Sequence, residues 1–124
     1  MSEDRRSYEL LNLLGEADFV RLAEIYGGTR LYVPASGDAS QIARKLSQTA
    51  ADKLAQRYSG THIRVPLARD IRARQYRAFG LSNADIARRL LMTETGVDKI
   101  FRRMVGKPLK GSRDPRQADL FTSN

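Results

Sequence analysis

Thr95, Asp98, Lys99 and Arg102 fall at offsets i, i+3, i+4 and i+7. On an α-helix those offsets line one face. The chemistry on offer there is charge and hydrogen bonding. Lys99, Arg102 and the adjacent Arg103 suit phosphate oxygens, or the O6 and N7 of guanine. Thr95 can bond a base edge or touch a thymine methyl. Asp98 repels phosphate, so it either accepts from a cytosine amino group or pairs with a neighbour such as Arg102. Val97, Ile100, Phe101 and Met104 repeat the same offsets as an apolar stripe. One face of such a helix seeks a core and the other is free for a groove of DNA.

The preceding residues would position that helix. Ser82 is a good N-cap, and Asp85 three residues on completes a capping-box pattern. The helix that follows turns Ile86, Ala87 and Leu90 inward and ends near Leu91 and Met92. Thr93 caps the next helix, and Glu94 sits near its positive end. Ala87 is small enough to let two helices cross closely. This is the helix-turn-helix arrangement, although Leu91 stands where a Gly often makes the turn. Arg88 and Arg89, on the outer side of the first helix, are candidate clamps on the DNA backbone. The bland alternative is a helical hairpin whose charged stripe is merely solvated.

The charge distribution favours the nucleic acid. The 124 residues carry a net charge of +8. Residues 1–60 hold eight basic and eight acidic side chains, whereas 61–124 hold fourteen and six, so 14 − 6 supplies the whole excess. A basic half that contains the helix pair is the electrostatic footprint of a nucleic-acid binder. A membrane-surface role would need a free apolar helix face, and these stripes are needed for the core. There is no cysteine, which excludes disulfides and thiolate metal sites and suits a reducing compartment. No apolar run approaches a membrane span, and no leader pattern is visible.

The first half repeats itself. Shifted by 32 residues, Leu14, Leu22, Ala23, Tyr26, Gly28, Thr29, Val33 and Pro34 meet Leu46, Leu54, Ala55, Tyr58, Gly60, Thr61, Val65 and Pro66. These eight identities fall on core, turn and breaker positions of the 21 residues 14–34, as an internal repeat requires. Each copy, 8–34 and 40–66, reads as helix, glycine stop, short strand, proline. The first is expected as a helix from Ser7 broken at Gly15, a helix over 16–26, and a strand over 29–33. Residues 1–6 are expected to fray. A lone strand must find a partner, within the chain or in a second copy of it, so 1–66 is expected to be an assembly module and the protein a homodimer. A third helix is expected from Pro66 to Phe79, with Leu67, Ile71, Arg74, Gln75 and Ala78 at helical spacing. Arg64, Arg69, Arg72, Arg74 and Arg77 crowd its other faces, and some are candidates for phosphate contact.

The fold class expected is therefore mainly α. A helix–strand dimerisation region over 1–66 precedes a three-helix helix-turn-helix unit over 67–105 and a flexible basic tail over 106–124. The tail includes QADLF, and Gln117, Leu120 and Phe121 offer a weak match to the peptide by which bacterial proteins dock on the sliding DNA clamp.

Catalysis has little support. His62 lies in a presumed strand with no second histidine. The acidic residues are scattered, and no glycine loop for phosphate occurs, so neither a metal nor a cofactor is expected. Tyr8, Tyr26, Tyr58 and Tyr76 occupy helix positions that favour core packing over base stacking.

The run GGTRLYVP, Gly27 to Pro34, preceded by LAEIY and followed by ADIARRL and TGVDKIFRR, resembles the Mor/C family of transcription activators of Mu-like bacteriophages and prophages. The resemblance spans residues 10–103. It implies a homodimer with an N-terminal helical dimerisation region, a short strand, and a C-terminal helix-turn-helix. It further implies binding to imperfect dyad sites beside phage promoters and recruitment of host RNA polymerase, in the cytoplasm and on the nucleoid of a bacterial host. By position, Gly27, Gly28, Tyr32 and Pro34, echoed by Gly60 and Pro66, would form the strand and linker element. Thr93 to Arg103 would be the recognition helix. The second copy carries Arg64 where the first has Tyr32. Two readings from other classes remain open: a protein-interaction adaptor built on the repeat and the QADLF tail, and a DNA-coating protein indifferent to sequence.

Overall fold

The computed structural model describes residues 3–35 and 41–104. Among the described residues nine elements follow one another: α1 (Glu3–Leu14), α2 (Glu16–Tyr26), β1 (Arg30–Val33), α3 (Gln41–Lys45), α4 (Gln48–Tyr58), β2 (Thr61–Arg64), α5 (Arg69–Ala78), α6 (Asn83–Leu90) and α7 (Glu94–Arg103). The described chain is mainly helical and divides into two compact units, residues 1–68 and the residues from 69 onward.

In the first unit each copy of the repeat folds as two helices and a strand. The α1–α2 break falls at Gly15, whose φ of +86° is a conformation that a Cβ would strain. At the matching position of the second copy Ser47 caps α4, accepting from the Ala50 amide at 3.0 Å. Leu10, Phe19 and Leu22 of the first copy and Ile42, Ala51 and Leu54 of the second are buried together with Val33, Ile63 and Val65. β1 and β2 pair antiparallel within the chain, with Arg30 opposite Arg64, Leu31 opposite Ile63, Tyr32 opposite His62, and Val33 opposite Thr61. The strands thus satisfy each other along their shared edge.

Three expectations change in this unit. α1 begins at Glu3 rather than Ser7, so residues 3–6 of the segment expected to fray are helical. The Arg6 guanidinium lies 5.3 Å from the Tyr58 ring centroid, and Glu9 pairs with Arg57 at 3.6 Å. Tyr8 is not a core residue: it is 67% exposed, because Ser7 and Leu10 take the inward positions of that turn. The helix expected from Pro66 starts only at Arg69. The Val65 amide is still bonded to the Thr29 carbonyl at 2.9 Å, Pro66 is buried, and Ala68 takes a left-handed φ of +53° that no α-helix admits.

The second unit is α5, α6 and α7 around Ala73, Tyr76, Leu81, Ile86, Ala87, Leu90, Val97 and Ile100. The inner face of α5 is Arg72, Ala73 and Tyr76, not the stripe through Leu67, Ile71 and Ala78. Leu67 precedes the helix, and Ala78 is exposed. The later start leaves Tyr76, the largest fully buried side chain, to set which face turns inward.

Candidate nucleic-acid interface

α6 and α7 are held at a fixed junction by their caps. The Ser82 hydroxyl accepts from the Asp85 amide at 3.2 Å, and Thr93 Oγ1 accepts from the Gly96 amide at 3.0 Å. Between the helices Leu91 takes the left-handed conformation, φ +56° and ψ +49°. The Met92 amide reaches back to the Ala87 carbonyl at 3.0 Å, which closes the end of α6. Leu91 is 89% exposed, so it supplies a backbone turn and no packing. The junction expected of Gly is therefore made by a residue that is strained there.

The inward stripe of α7 buries Val97 and Ile100, with Phe101 and Met104 half-buried. The other face presents Thr95, Asp98, Lys99, Arg102 and Arg103, all exposed, with Thr93 at the N-cap also exposed. A ten-residue helix is about 15 Å long. It carries this face along a stretch comparable with the ~12 Å width of the DNA major groove.

Asp98 and Arg102 form an ion pair at 2.8 Å, each more than half exposed. Of the two roles open to Asp98, pairing with a neighbour is the one the unbound protein adopts. Lys99 and Arg103 have no acidic partner among the described residues, so their charges face solvent. Phosphate or guanine would be recognised by this arrangement through two free cations and one guanidinium held in place by Asp98.

Arg88 and Arg89 differ in setting. Arg88 is exposed and pairs with Asp85. Arg89 is half-buried, with its guanidinium carbon 5.7 Å from the Tyr76 ring centroid. Arg88 thus stays on the outer side of α6, whereas Arg89 is part of the packing around Tyr76.

Two arginines on α5 also serve the scaffold rather than phosphate. Arg72 is only 8% exposed. Its Nε donates to the Tyr76 hydroxyl and one terminal nitrogen donates to the Arg89 carbonyl, both at 3.1 Å. It thereby secures a carbonyl in the last turn of α6, where positive charge is favourable. Arg77 stacks over Phe101 at 4.8 Å, donates to the Leu81 carbonyl at 3.2 Å and bonds the Asn83 side-chain oxygen. It thus ties α5 to the entry of α6 and to the inner side of α7. Sequence reasoning missed both roles. The available signal was that Arg72 and Tyr76 stand four residues apart, within reach on one helix face.

The strand and linker element lies in the first unit. Gly28 and Gly60 take φ of +82° and +76°, which a side chain would strain. Pro34 ends β1 and Pro66 follows β2. Tyr32 and His62 meet on the exposed side of the ribbon with ring centroids 5.1 Å apart. His62 is there an exposed strand side chain. Tyr26 and Tyr58 are half-buried, each beneath a cation. Lys45 lies over Tyr26 at 5.7 Å, and Arg6 lies over Tyr58.

Gln117, Leu120 and Phe121, with the rest of the expected tail, lie outside the described residues. No described helix is long and apolar enough to cross a membrane. Comparison with protein-family models, with curated proteins and with solved structures found no match to this chain.

Proposed function

We propose that this protein is a sequence-specific double-stranded DNA-binding transcription regulator. α6, the left-handed turn at Leu91 and α7 act as a helix-turn-helix, and α7 is the recognition helix. The observation that carries the reading is the outer face of α7. It offers Lys99, Arg102 and Arg103 beside Thr95, on a helix whose opposite face is committed to the core. A merely solvated helix does not require that the whole net charge of +8 lie in residues 61–124.

In this reading Lys99 and Arg103 reach phosphates first. Arg102 exchanges Asp98 for phosphate or guanine as the helix enters the groove, and Arg88 steadies the duplex from α6. The phosphate contacts give affinity, while Thr95, Asp98 and Arg102 give discrimination. The resemblance to the Mor/C activators further suggests activation of phage or prophage promoters together with host RNA polymerase, in a bacterial cytoplasm. It also suggests a homodimer. The separate argument for a homodimer, that each strand needs a partner from another chain, is answered by the pairing of β1 with β2.

Selection of binding sites from random duplex DNA with the full chain at moderate salt tests this. Enrichment of one motif is the expected result. Tight binding without enrichment would indicate a coating protein. No binding would move the adaptor reading to the front.

A further inference from the structure

We infer that the first unit is a closed single-chain pair, so that the protein works as a monomer and brings one recognition helix to an undivided DNA site that lacks two-fold symmetry. The DNA part of this inference rests on the reading proposed above.

The two copies of the repeat are related by an internal two-fold operation, visible in the backbone. The strand register pairs Arg30 with Arg64 and Val33 with Thr61. Exchanging the copies by their 32-residue offset turns Arg30–Arg64 into Tyr32–His62 and leaves Leu31–Ile63 in place, while Val33–Thr61 becomes Thr29–Val65, joined by the Val65 amide bond to the Thr29 carbonyl at 2.9 Å. The hydrogen bonds obey the same rule. The Gly28 amide donates to Val65 and the Gly60 amide to Val33, both at 2.8 Å. The Thr29 hydroxyl bonds the Tyr26 carbonyl and the Thr61 hydroxyl the Tyr58 carbonyl, both at 2.6 Å. Gly27 and Ser59, which end α2 and α4, share φ −53° with ψ of 135° and 137°.

The correspondence between the copies is looser in the first helices. Arg6 of α1 covers Tyr58, and Lys45 of α3 covers Tyr26, but these two cations do not stand at matched positions. The buried residues include matched pairs: Leu10 with Ile42, Leu22 with Leu54, Val33 with Val65. This is the isologous arrangement by which two identical chains complete each other, here closed within one. The two copies pair along their shared edge without a second chain, and only the outer edges of this two-stranded ribbon stay open. Within the first unit the large apolar side chains exposed among the described residues are Tyr8 on α1 and Tyr32 on β1. Two tyrosines fall short of the broad apolar patch that a permanent homodimer buries. The duplication covers the scaffold only. The α5–α7 unit follows the second copy and has no counterpart after the first, so a symmetric pair carries a single reading head.

Sedimentation equilibrium of the full chain across roughly a hundredfold range of concentration, repeated on a duplex enriched by selection, tests the proposal. The expected results are a constant mass of 14.0 kDa, a one-to-one complex, and a selected motif without a dyad. A free protein of twice that mass, or a two-to-one complex on a dyad, would overturn it. The protein lacks native cysteine, so the double variant Tyr32→Cys/His62→Cys adds an independent readout. These positions face each other across the ladder, at a spacing that a disulfide accepts. Oxidation should lock a monomer, seen on a non-reducing gel, whereas a crosslinked dimer would mean the strands pair between chains. Failure to bind any duplex would count against the nucleic-acid reading alone, because the mass of the free protein and the crosslink are measured without DNA.

Discussion

Asp98 holds Arg102 at 2.8 Å on the exposed face of α7, so the residue best suited to read guanine is restrained by an acid of its own helix. The pair is exposed and contributes at most a few tenths of a kcal/mol to stability. Its larger effect falls on binding, where Asp98 both repels phosphate and opposes indiscriminate use of Arg102. Asp98→Asn should therefore tighten binding to unrelated duplex several-fold, and the ratio of specific to non-specific affinity should shrink. Paired anisotropy titrations on selected and scrambled duplexes measure both. Unchanged affinity for scrambled DNA would mean that Asp98 stands away from the phosphates.

Leu91 makes the α6–α7 turn in the left-handed region while almost wholly exposed. A non-glycine residue there costs roughly 1–2 kcal/mol, part of which glycine gives back in chain entropy. Leu91→Gly should stabilise the second unit by about 0.5–1 kcal/mol in urea unfolding. Leu91→Val should destabilise it, since β-branching worsens the left-handed turn.

Gly28 and Gly60 occupy matched turns, but their surroundings differ. A Cβ at Gly60 meets nothing within 4 Å, while one at Gly28 comes to 3.4 Å from the Leu67 side chain. Gly60→Ala should cost about 1–2 kcal/mol from backbone strain alone. Gly28→Ala should cost the same or slightly more. Equal melting temperatures for both variants and the parent would refute the positive φ at these turns.

Arg72 ties Tyr76 to the end of α6 from a nearly buried position. Arg72→Met keeps much of the side-chain volume and removes those hydrogen bonds. It should destabilise the second unit by about 1–3 kcal/mol. DNA binding should fall only as far as the folded population does. A loss of affinity at full folding would place Arg72 at the interface instead.

Burial raises the Tyr26 phenol above its ordinary value of 10.0. The folded chain then holds that proton more firmly than the unfolded chain. Below about pH 10 the stabilising difference is fully present, and it is lost as pH rises through the folded value. Tyr26→Phe should remove that part of the alkaline loss in unfolding midpoints taken from pH 8 to pH 11. Its hydroxyl is buried without a hydrogen-bond partner among the described residues, so the substitution should be neutral or mildly stabilising at pH 7.

The elements that were legible in the sequence carry local signals. Gly15 and the pair Gly27–Gly28 bracket α2 at its observed ends, and Ser82 and Thr93 cap the helices they were expected to cap. The offsets through Val97 and Ile100 gave the buried stripe of α7 because an amphipathic helix writes its orientation into its period. Non-local effects were not legible. The repeat announced two similar strands, yet their pairing within one chain depends on tertiary closure that no local pattern records. The start of α5 was misplaced because Pro66 is a favoured first helical residue, while the ladder bond from the Val65 amide to Thr29, 36 positions away, keeps the chain extended. Arg72 and Arg77 were grouped with surface charge because arginine is seldom buried. Arg72 is buried against Tyr76 and Arg77 is half-buried over Phe101, and a charge count ignores both rings.

The central claim is that the basic face of α7 binds duplex DNA, and its most direct test is affinity against salt. Binding of a labelled duplex would be followed by anisotropy over a range of salt concentrations, for the parent and for Lys99→Ala, Arg102→Ala and Arg103→Ala. The account predicts a steep linear fall of log affinity with log salt. Each removed phosphate contact should make the slope shallower by about 1, and Arg102→Ala should weaken specific binding by about 1–3 kcal/mol if that residue reads a base. An affinity indifferent to salt, or three variants that bind like the parent, would contradict it.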